Sequence, residues 1–146
     1  MKRKWIALAV TFASSAMLVA GIAIADDKES PLAKVMEKVQ AKHTGIIKAY
    51  RTPVAWKKAQ KDVVAAAEDM IKLAKDAKPL GGDVIKEKKK TQKDWDEKMD
   101  AFMKEAEDFA KTAGKADLSN ADAKKAYMKV SATCTNCHND YRSDEE

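Results

Sequence analysis

The chain has 146 residues, of which 45% are hydrophobic, and this supports one small domain with a single core but not several domains. Its formal net charge is +5, but residues 1–25 hold three of the 28 basic residues and none of the 23 acidic ones. Without that segment the net charge is +2, which excludes the strongly basic domain expected of a nucleic-acid-binding protein.

The N-terminus has the pattern of a Sec-type secretory signal peptide. Basic residues at positions 2–4 precede an uncharged run at positions 5–24, and a small-x-small sequence ends at Ala25. We predict cleavage after Ala25, which divides the chain into a signal peptide at 1–25 and a mature domain at 26–146. The alternative is an uncleaved membrane anchor, since about 20 uncharged residues are long enough to span a bilayer. The alanines and hydroxyl side chains of the run make it weakly apolar and favour cleavage.

The first half of the mature chain predicts two helices. Apolar residues recur every three or four positions from Pro31 to Arg51, which indicates one face of a first helix. Thr52 is the expected N-cap of a second helix, because a proline at position 53 fits a first helical position. The pair Lys78-Pro79 is expected to end this second helix, since proline disfavours a helical residue before it.

Two further helices are expected after a turn at positions 80–82. Asp83 is the expected N-cap of a long third helix that runs to Gly114. The fourth helix is expected to begin near Ser119, where Asp122 gives a sequence similar to a capping box. Four amphipathic helices joined by short connections predict an all-α fold, an antiparallel up-down-up-down four-helix bundle.

The most specific signal in the chain is the sequence Cys134-Thr135-Asn136-Cys137-His138, which uses both of its cysteines. Cys-x-x-Cys-His is the attachment motif of a c-type haem. The two thiols bond covalently to the vinyl groups of the porphyrin, and the histidine gives an imidazole nitrogen to the iron. We therefore predict one covalently bound haem c near the C-terminus, with Cys134 and Cys137 as its thioethers and His138 as the proximal axial ligand. The spacing puts all three side chains at neighbouring positions of the fourth helix.

Three other uses of the two cysteines are open. A thioredoxin-like redox pair also contains Cys-x-x-Cys, but it begins a helix after a strand, whereas this motif closes a helical segment. A zinc site needs four ligands, and it would use both cysteines, His138 and His43 with none to spare. A plain disulfide is the third possibility.

The position of the motif favours haem and restricts what surrounds it. Haem is attached to such motifs outside the cytoplasm, so the motif and the signal peptide support each other and predict a periplasmic protein. Eight residues follow His138. Any second axial ligand is therefore expected from an earlier part of the chain.

The segment Cys134-Thr-Asn-Cys137-His138-Asn-Asp-Tyr141-Arg142, at the end of a helical chain, resembles the class II c-type cytochromes. These comprise cytochrome c prime and the low-spin cytochromes c-556. The resemblance covers most of the mature chain and implies a four-helix bundle whose first helix brings a residue to the far face of the haem. In the low-spin members this residue is a methionine, and the matching position here is Met36. The resemblance thus implies Met36 as the distal axial ligand, a soft thioether that suits ferrous iron.

Several residues have more than one possible role. Met36 is alternatively a core residue, which is the usual role of a methionine at helical spacing. His43 lies two turns, about 10 Å, beyond Met36 on the same face, so both cannot reach one iron, and we expect a buried or propionate-facing histidine. Arg142 is a candidate partner of a haem propionate, or an exposed terminal residue. Methionines expected to pack or face outward are Met70, Met99, Met103 and Met128. Aromatic residues expected in the haem pocket or the core are Trp95, Phe102 and Phe109, with Tyr141 near the proximal side.

These features predict a periplasmic monohaem one-electron carrier, not an enzyme, with His138 and Met36 holding the iron six-coordinate. The alternative is a five-coordinate, high-spin protein of the cytochrome c prime type that binds NO or CO. A third alternative is a helical interaction module without haem.

Expected partners are periplasmic redox proteins with an acidic surface. They would dock on the lysine cluster, which we define as Lys86, Lys88, Lys89 and Lys90; its alternative reading is a solvated helix face. We expect no nucleic acid partner, and membrane contact only through an uncleaved signal peptide. The sequence leaves a homodimer open, which an exposed apolar stripe on the first two helices would favour.

Overall fold

The computed structural model describes residues 30–142, and all of its regular elements in this range are helical. The five α-helices are α1 (Pro31–Ala49), α2 (Pro53–Ala77), α3 (Gly82–Glu87), α4 (Gln92–Ala113) and α5 (Asn120–Tyr141). A short 3-10 turn at Lys78–Leu80 follows α2. The all-α prediction is confirmed for these residues. The predicted signal peptide at 1–25 lies outside them.

Local sequence sets the starts of three helices. Ser30 accepts a hydrogen bond from the Ala33 amide at 3.1 Å, and Thr52 accepts one from Ala55 at 3.1 Å, so both cap the helix that follows. Ser119 caps α5 in the same way, accepting from the Asp122 amide at 3.0 Å. These caps satisfy amides that have no partner within their helix. The predicted caps at Thr52 and Ser119 are confirmed, and α1 ends at Ala49, two residues before the predicted end.

The prediction of one long third helix from Asp83 to Gly114 is wrong. The chain forms α3, then leaves the helix at Lys89, whose φ is 52°, and Thr91 caps α4 by accepting from the Asp94 amide at 3.1 Å. In an unbroken helix, Ile85 and Trp95 would lie about 15 Å apart and point in directions about 80° apart. The break allows both to pack in one apolar cluster.

Two apolar clusters hold the helices together. α2 packs against α1 and α4, and α4 packs also against α5. The first, the Tyr127 cluster, consists of buried residues from the second half of α1, the first two-thirds of α2, the end of α4 and the start of α5. Its members are Ile46, Ala49, Trp56, Val63, Ala67, Met70, Phe109, Ala110, Ala113, Ala123, Tyr127 and Val130.

The second, the motif cluster, lies where the start of α1, the end of α2, α3, the start of α4 and the end of α5 meet. Its buried members are Ala77, Ile85, Trp95, Met99 and Tyr141, and the partly buried residues packed on them are Leu32, Val35, Met36, Val84 and Cys137. The two clusters distinguish the aromatic residues that the sequence assigned jointly to the haem pocket or the core. Trp95 belongs to the motif cluster, whereas Phe102 and Phe109 pack in the Tyr127 cluster.

Trp95 fixes the connection between α2 and α3. Its indole Nε1 donates to the Lys78 carbonyl at 2.8 Å, and its ring lies against Gly81. A Cβ added at Gly81 would stand 2.5 Å from the ring, so only glycine permits this approach. The turn predicted at positions 80–82 is thus set by a contact with α4.

Two further observations concern the surface. Within residues 30–142, no helix has the length and apolar character needed to cross a membrane. The large hydrophobic side chains exposed in this range are Val54, which is 80% exposed, and Met128, which is 60% exposed. They lie on α2 and α5, so they do not form a stripe along the first two helices.

The fold makes a testable prediction about two methionines. Met70 is 0% exposed in the Tyr127 cluster, whereas Met128 is largely in solvent. We expect Met70→Ala to lower the free energy of unfolding by about 2–5 kcal/mol because it leaves a cavity, and Met128→Ala to change it by less than about 0.5 kcal/mol. Urea unfolding followed by circular dichroism measures both, and equal losses would contradict the assignment of Met70 to the core.

Candidate functional site

The Cys-x-x-Cys-His motif lies in the last two turns of α5. Tyr127, Val130 and Tyr141 are buried on one stripe of this helix, and Cys134 and Cys137 lie half-buried on the same stripe. His138, one turn after Cys134, is exposed. The helix therefore directs both thiols toward the interior and holds the imidazole at the edge of the same face.

The two cysteines are not joined by a disulfide, and their surroundings disfavour the thiolate. Both are free cysteines. Burial raises the pKa of Cys137 to about 11, with Lys98 opposing the shift, and burial also raises the pKa of Cys134. The C-terminal end of a helix carries partial negative charge and disfavours a further anion. A dithiol redox centre needs a lowered thiol pKa, so this environment does not suit one.

The zinc alternative required His43 beside the cysteines, and His43 lies elsewhere. Its Nδ1 is 2.8 Å from the hydroxyl of Tyr127, and Tyr127 is two turns, about 10 Å, before Cys134 on α5. Among residues 30–142, no three or more His, Cys, Asp and Glu side chains are grouped so that they can hold a metal ion.

The start of α1 approaches the motif. Met36 and Cys137 both pack against the motif cluster, together with Leu32 and Val35 from the same face of α1. An attached porphyrin needs apolar surface beside the thioethers, which this cluster provides, and Met36 is the residue of α1 that would serve as a ligand on its far side. The residues therefore fit a covalently attached haem. His43, seven residues after Met36, contacts the other cluster.

A polar frame ties the end of α5 to α4 and to the segment that precedes it. The hydroxyl of Tyr141 donates to Asp94 at 2.6 Å. Asp140 pairs with Lys90 at 2.8 Å and Lys98 at 2.7 Å, and these hydrogen-bonded lysines lower the pKa of Asp140 to about 2. We call Asp94, Tyr141, Asp140, Lys90 and Lys98 the polar frame.

An open groove of about 210 Å³ borders the motif between α4 and α5. Its lining residues are Asp94, Glu97, Lys98, Ala101, Thr133 and Asn136. Five of these six residues are polar or charged, whereas the motif cluster consists mainly of hydrophobic side chains.

Arg142 follows α5 as its C-cap, and its amide donates to the His138 carbonyl at 3.0 Å. Sequence reasoning identified the motif, Met36 and Arg142 but missed Asp94, Lys98 and Asp140. No sequence pattern marks these three residues, because their contacts join parts of the chain that are far apart. Tyr141, for example, bonds to Asp94 across 47 residues.

Comparisons with protein-family models, curated proteins and solved structures found no match to this chain.

The Tyr141–Asp94 hydrogen bond gives a prediction for the polar frame. We expect Tyr141→Phe to lower the free energy of unfolding by about 1–3 kcal/mol, because it deletes a partly buried hydrogen bond to a charged acceptor. Asp94→Asn, measured alone and in the double variant by urea unfolding, completes a thermodynamic cycle. The double variant should lose less than the sum of the two single losses; strictly additive losses would contradict the bond.

Proposed function

We propose that this protein is a periplasmic one-electron carrier of the class II c-type cytochrome family, exported by a signal peptide that is cleaved after Ala25. The observation that carries the proposal is the Cys-x-x-Cys-His motif on α5, with its half-buried thiols beside an apolar cluster that also contains Met36. The protein itself performs no bond chemistry in this role.

The residues that hold the haem follow from this arrangement. Cys134 and Cys137 would form its two thioether bonds, His138 its proximal ligand and Met36 its distal ligand. When bound, haem c supplies a one-electron ferric/ferrous couple. Two fixed axial side chains keep the geometry similar in both oxidation states, which suits rapid electron exchange. The motif cluster limits the access of water on the side of Cys137.

The proposed architecture is an antiparallel up-down-up-down bundle of α1, α2, α4 and α5. It is supported by the membership of the motif cluster, which combines the start of α1 with the end of α2, and the start of α4 with the end of α5. In such a bundle a haem on α5 is covered by α1 and α4, and α3 is an insertion before α4.

One observation favours the five-coordinate alternative. The buried residues of α1 are Ile46 and Ala49, both in its last turn, so Met36 lies in the less enclosed part of the helix. A methionine held loosely can stand near an iron without bonding to it, which leaves a site for NO or CO.

An optical spectrum of the exported holoprotein separates the two candidates. We expect covalently attached haem with low-spin bands and a sulfur-to-iron charge-transfer feature, because Met36 completes the coordination. Met36→Ala should abolish the charge-transfer feature and give a high-spin spectrum.

Met128→Ala is the matched control, since that side chain is exposed on α5, and its spectrum should equal that of the unaltered protein. A high-spin spectrum that Met36→Ala leaves unchanged would favour the gas-binding alternative. Colourless protein from cells with intact haem-attachment machinery would contradict the haem itself.

We propose that redox partners dock on the lysine cluster. Lys90 pairs with Asp140, two residues after His138, and Val84 and Ile85 of α3 pack in the motif cluster, so the lysine cluster borders the proposed haem. Lys86 and Lys89 are exposed, and within residues 30–142 neither is paired with a carboxylate. Their charge is thus available to an acidic partner surface.

Small charged redox reagents test the lysine cluster without knowledge of the partner. In Lys86→Glu/Lys89→Glu, we expect electron exchange with the anion ferricyanide to slow severalfold at low ionic strength, and exchange with the cation hexaammineruthenium to accelerate. Lys124→Glu/Lys125→Glu, at the start of α5, is the control of equal charge change and should have much less effect. Equal effects of the two double variants would contradict a role for the lysine cluster.

A further inference from the structure

A histidine and a tyrosine form a polar pair between α1 and α5, and the proposed electron transfer gives this pair no role. His43 Nδ1 lies 2.8 Å from the hydroxyl oxygen of Tyr127, and their ring centroids are 5.6 Å apart. His43 is half-buried, and Tyr127 is 0% exposed. Tyr127 is a member of the Tyr127 cluster, so a titratable imidazole contacts the most enclosed part of the protein.

The surroundings of the pair are mainly apolar. Phe109 packs on the Tyr127 ring at a centroid distance of 4.8 Å and Tyr50 at 6.1 Å. The Tyr127 hydroxyl is also 3.9 Å from the sulfur of Met70. Burial holds the pKa of Tyr127 well above its usual range, so the phenol keeps its proton. His43 is therefore the member of the pair that changes charge near neutral pH.

The hydroxyl of Tyr127 can satisfy His43 in both of its protonation states. With a neutral imidazole protonated at Nε2, the hydroxyl donates its proton to Nδ1. With a cationic imidazole, Nδ1–H donates to the hydroxyl oxygen, and the hydroxyl proton turns toward the Met70 sulfur. Neither state leaves a buried polar group without a partner, so the site accepts a proton without rearrangement of heavy atoms.

Few charges face His43. Its neighbour on α1, Lys42, is held by Asp69 of α2 at 2.7 Å, and Lys72 of α2 pairs with the same carboxylate at 3.2 Å, so these three side chains together carry one net positive charge. From α5 the facing titratable groups are Tyr127 and, further along, Cys134; Tyr50 faces it from α1, and α4 presents Phe109. Burial lowers the pKa of His43. Because burial is the cause of this shift, we expect the pKa of the His43 imidazole to respond to a further charge placed in the interior.

The pair is close to the proposed haem on both helices. Tyr127 lies two turns before Cys134 on α5, and His43 lies two turns after Met36 on α1, which is about 10 Å in each case. At distances of about 10–15 Å through protein, a unit change of charge shifts a titration by a measurable amount.

We propose that the His43–Tyr127 pair is a redox-linked proton site, at which His43 takes up a proton from solvent as the attached haem gains an electron. The inference rests on the proposed function, because it requires the haem. The electron comes from the redox partner and the proton from water. One N–H bond forms at Nδ1 as one O–H bond of a solvent hydronium ion breaks, and no other bond is made or broken. Between the two pKa values of His43, proton uptake offsets part of the charge of the electron.

The direction of the coupling follows from the sign of the charges. The ferric site carries one more positive charge than the ferrous site and repels an imidazolium more strongly. His43 should therefore have a higher pKa in the ferrous protein than in the ferric protein, by about 0.5–1 pH unit. By linkage, the reduction potential should fall as pH rises between the two values and be constant above both.

The test is the reduction potential of the holoprotein between pH 4 and 8, together with the NMR titration of the His43 ring in each oxidation state. In the unaltered protein we expect a pH-dependent potential and two different His43 titrations. His43→Gln, which keeps a polar group beside Tyr127 but does not titrate, should make the potential independent of pH. Lys42→Gln is the control, because it changes a neighbouring charge and should leave the pH dependence in place.

The outcomes are distinct. A coloured, redox-active protein whose His43 titrates identically in both states would overturn the coupling and leave the electron carrier intact. An unchanged pH dependence in His43→Gln would overturn the assignment to this residue. If His43→Gln is poorly folded, the two NMR titrations of the unaltered protein are the test: different pKa values of His43 support the coupling, and equal values overturn it. Protein without haem would overturn the coupling and the proposed function together.

Discussion

The candidate site depends on the motif cluster, in which residues from the first turns of α1 and the last turns of α5 are brought together with residues of α2, α3 and α4. The Cys-x-x-Cys-His motif lies on α5, and Cys137 shares the motif cluster with residues of earlier helices. Leu32, Val35 and Met36 come from α1, Ile85 from α3 and Trp95 from α4. Because these residues are far apart in sequence, the site exists only when all the helices are packed.

The two clusters differ in size and in burial. The Tyr127 cluster contains most of the fully buried side chains and joins α1, α2, α4 and α5, so it holds the fold together. The motif cluster is smaller, and half of its residues are only partly buried. The polar frame compensates by fixing the end of α5 to α4, through Tyr141 on Asp94 and through Asp140 between two lysines.

The lysines near the motif form two groups, one paired with a carboxylate and one exposed to solvent. Asp140 pairs with both Lys90 and Lys98 close to α5, while Lys86 and Lys89 face solvent on α3 and the turn after it. This arrangement depends on the break at Lys89, because a continuous helix would carry α3 away from the motif. Deeper in the protein, His43 beside Tyr127 is a titratable group in apolar surroundings. The exposed lysines suit the proposed recognition of a partner, and the half-buried histidine suits the proposed response to the charge of a haem.

The sequence by itself determined the features that depend on neighbouring residues. Helical periodicity, the caps at Thr52 and Ser119 and the attachment motif are all local, and each helix was found within a few residues except at positions 88–91. Only the tertiary structure decided the break before α4, which lets Ile85 and Trp95 share one cluster. It also paired His43 with Tyr127 across 84 residues and Tyr141 with Asp94 across 47. Such pairs leave no periodic trace, because side-chain contacts between helices depend on the rotation and axial position that the packed core imposes.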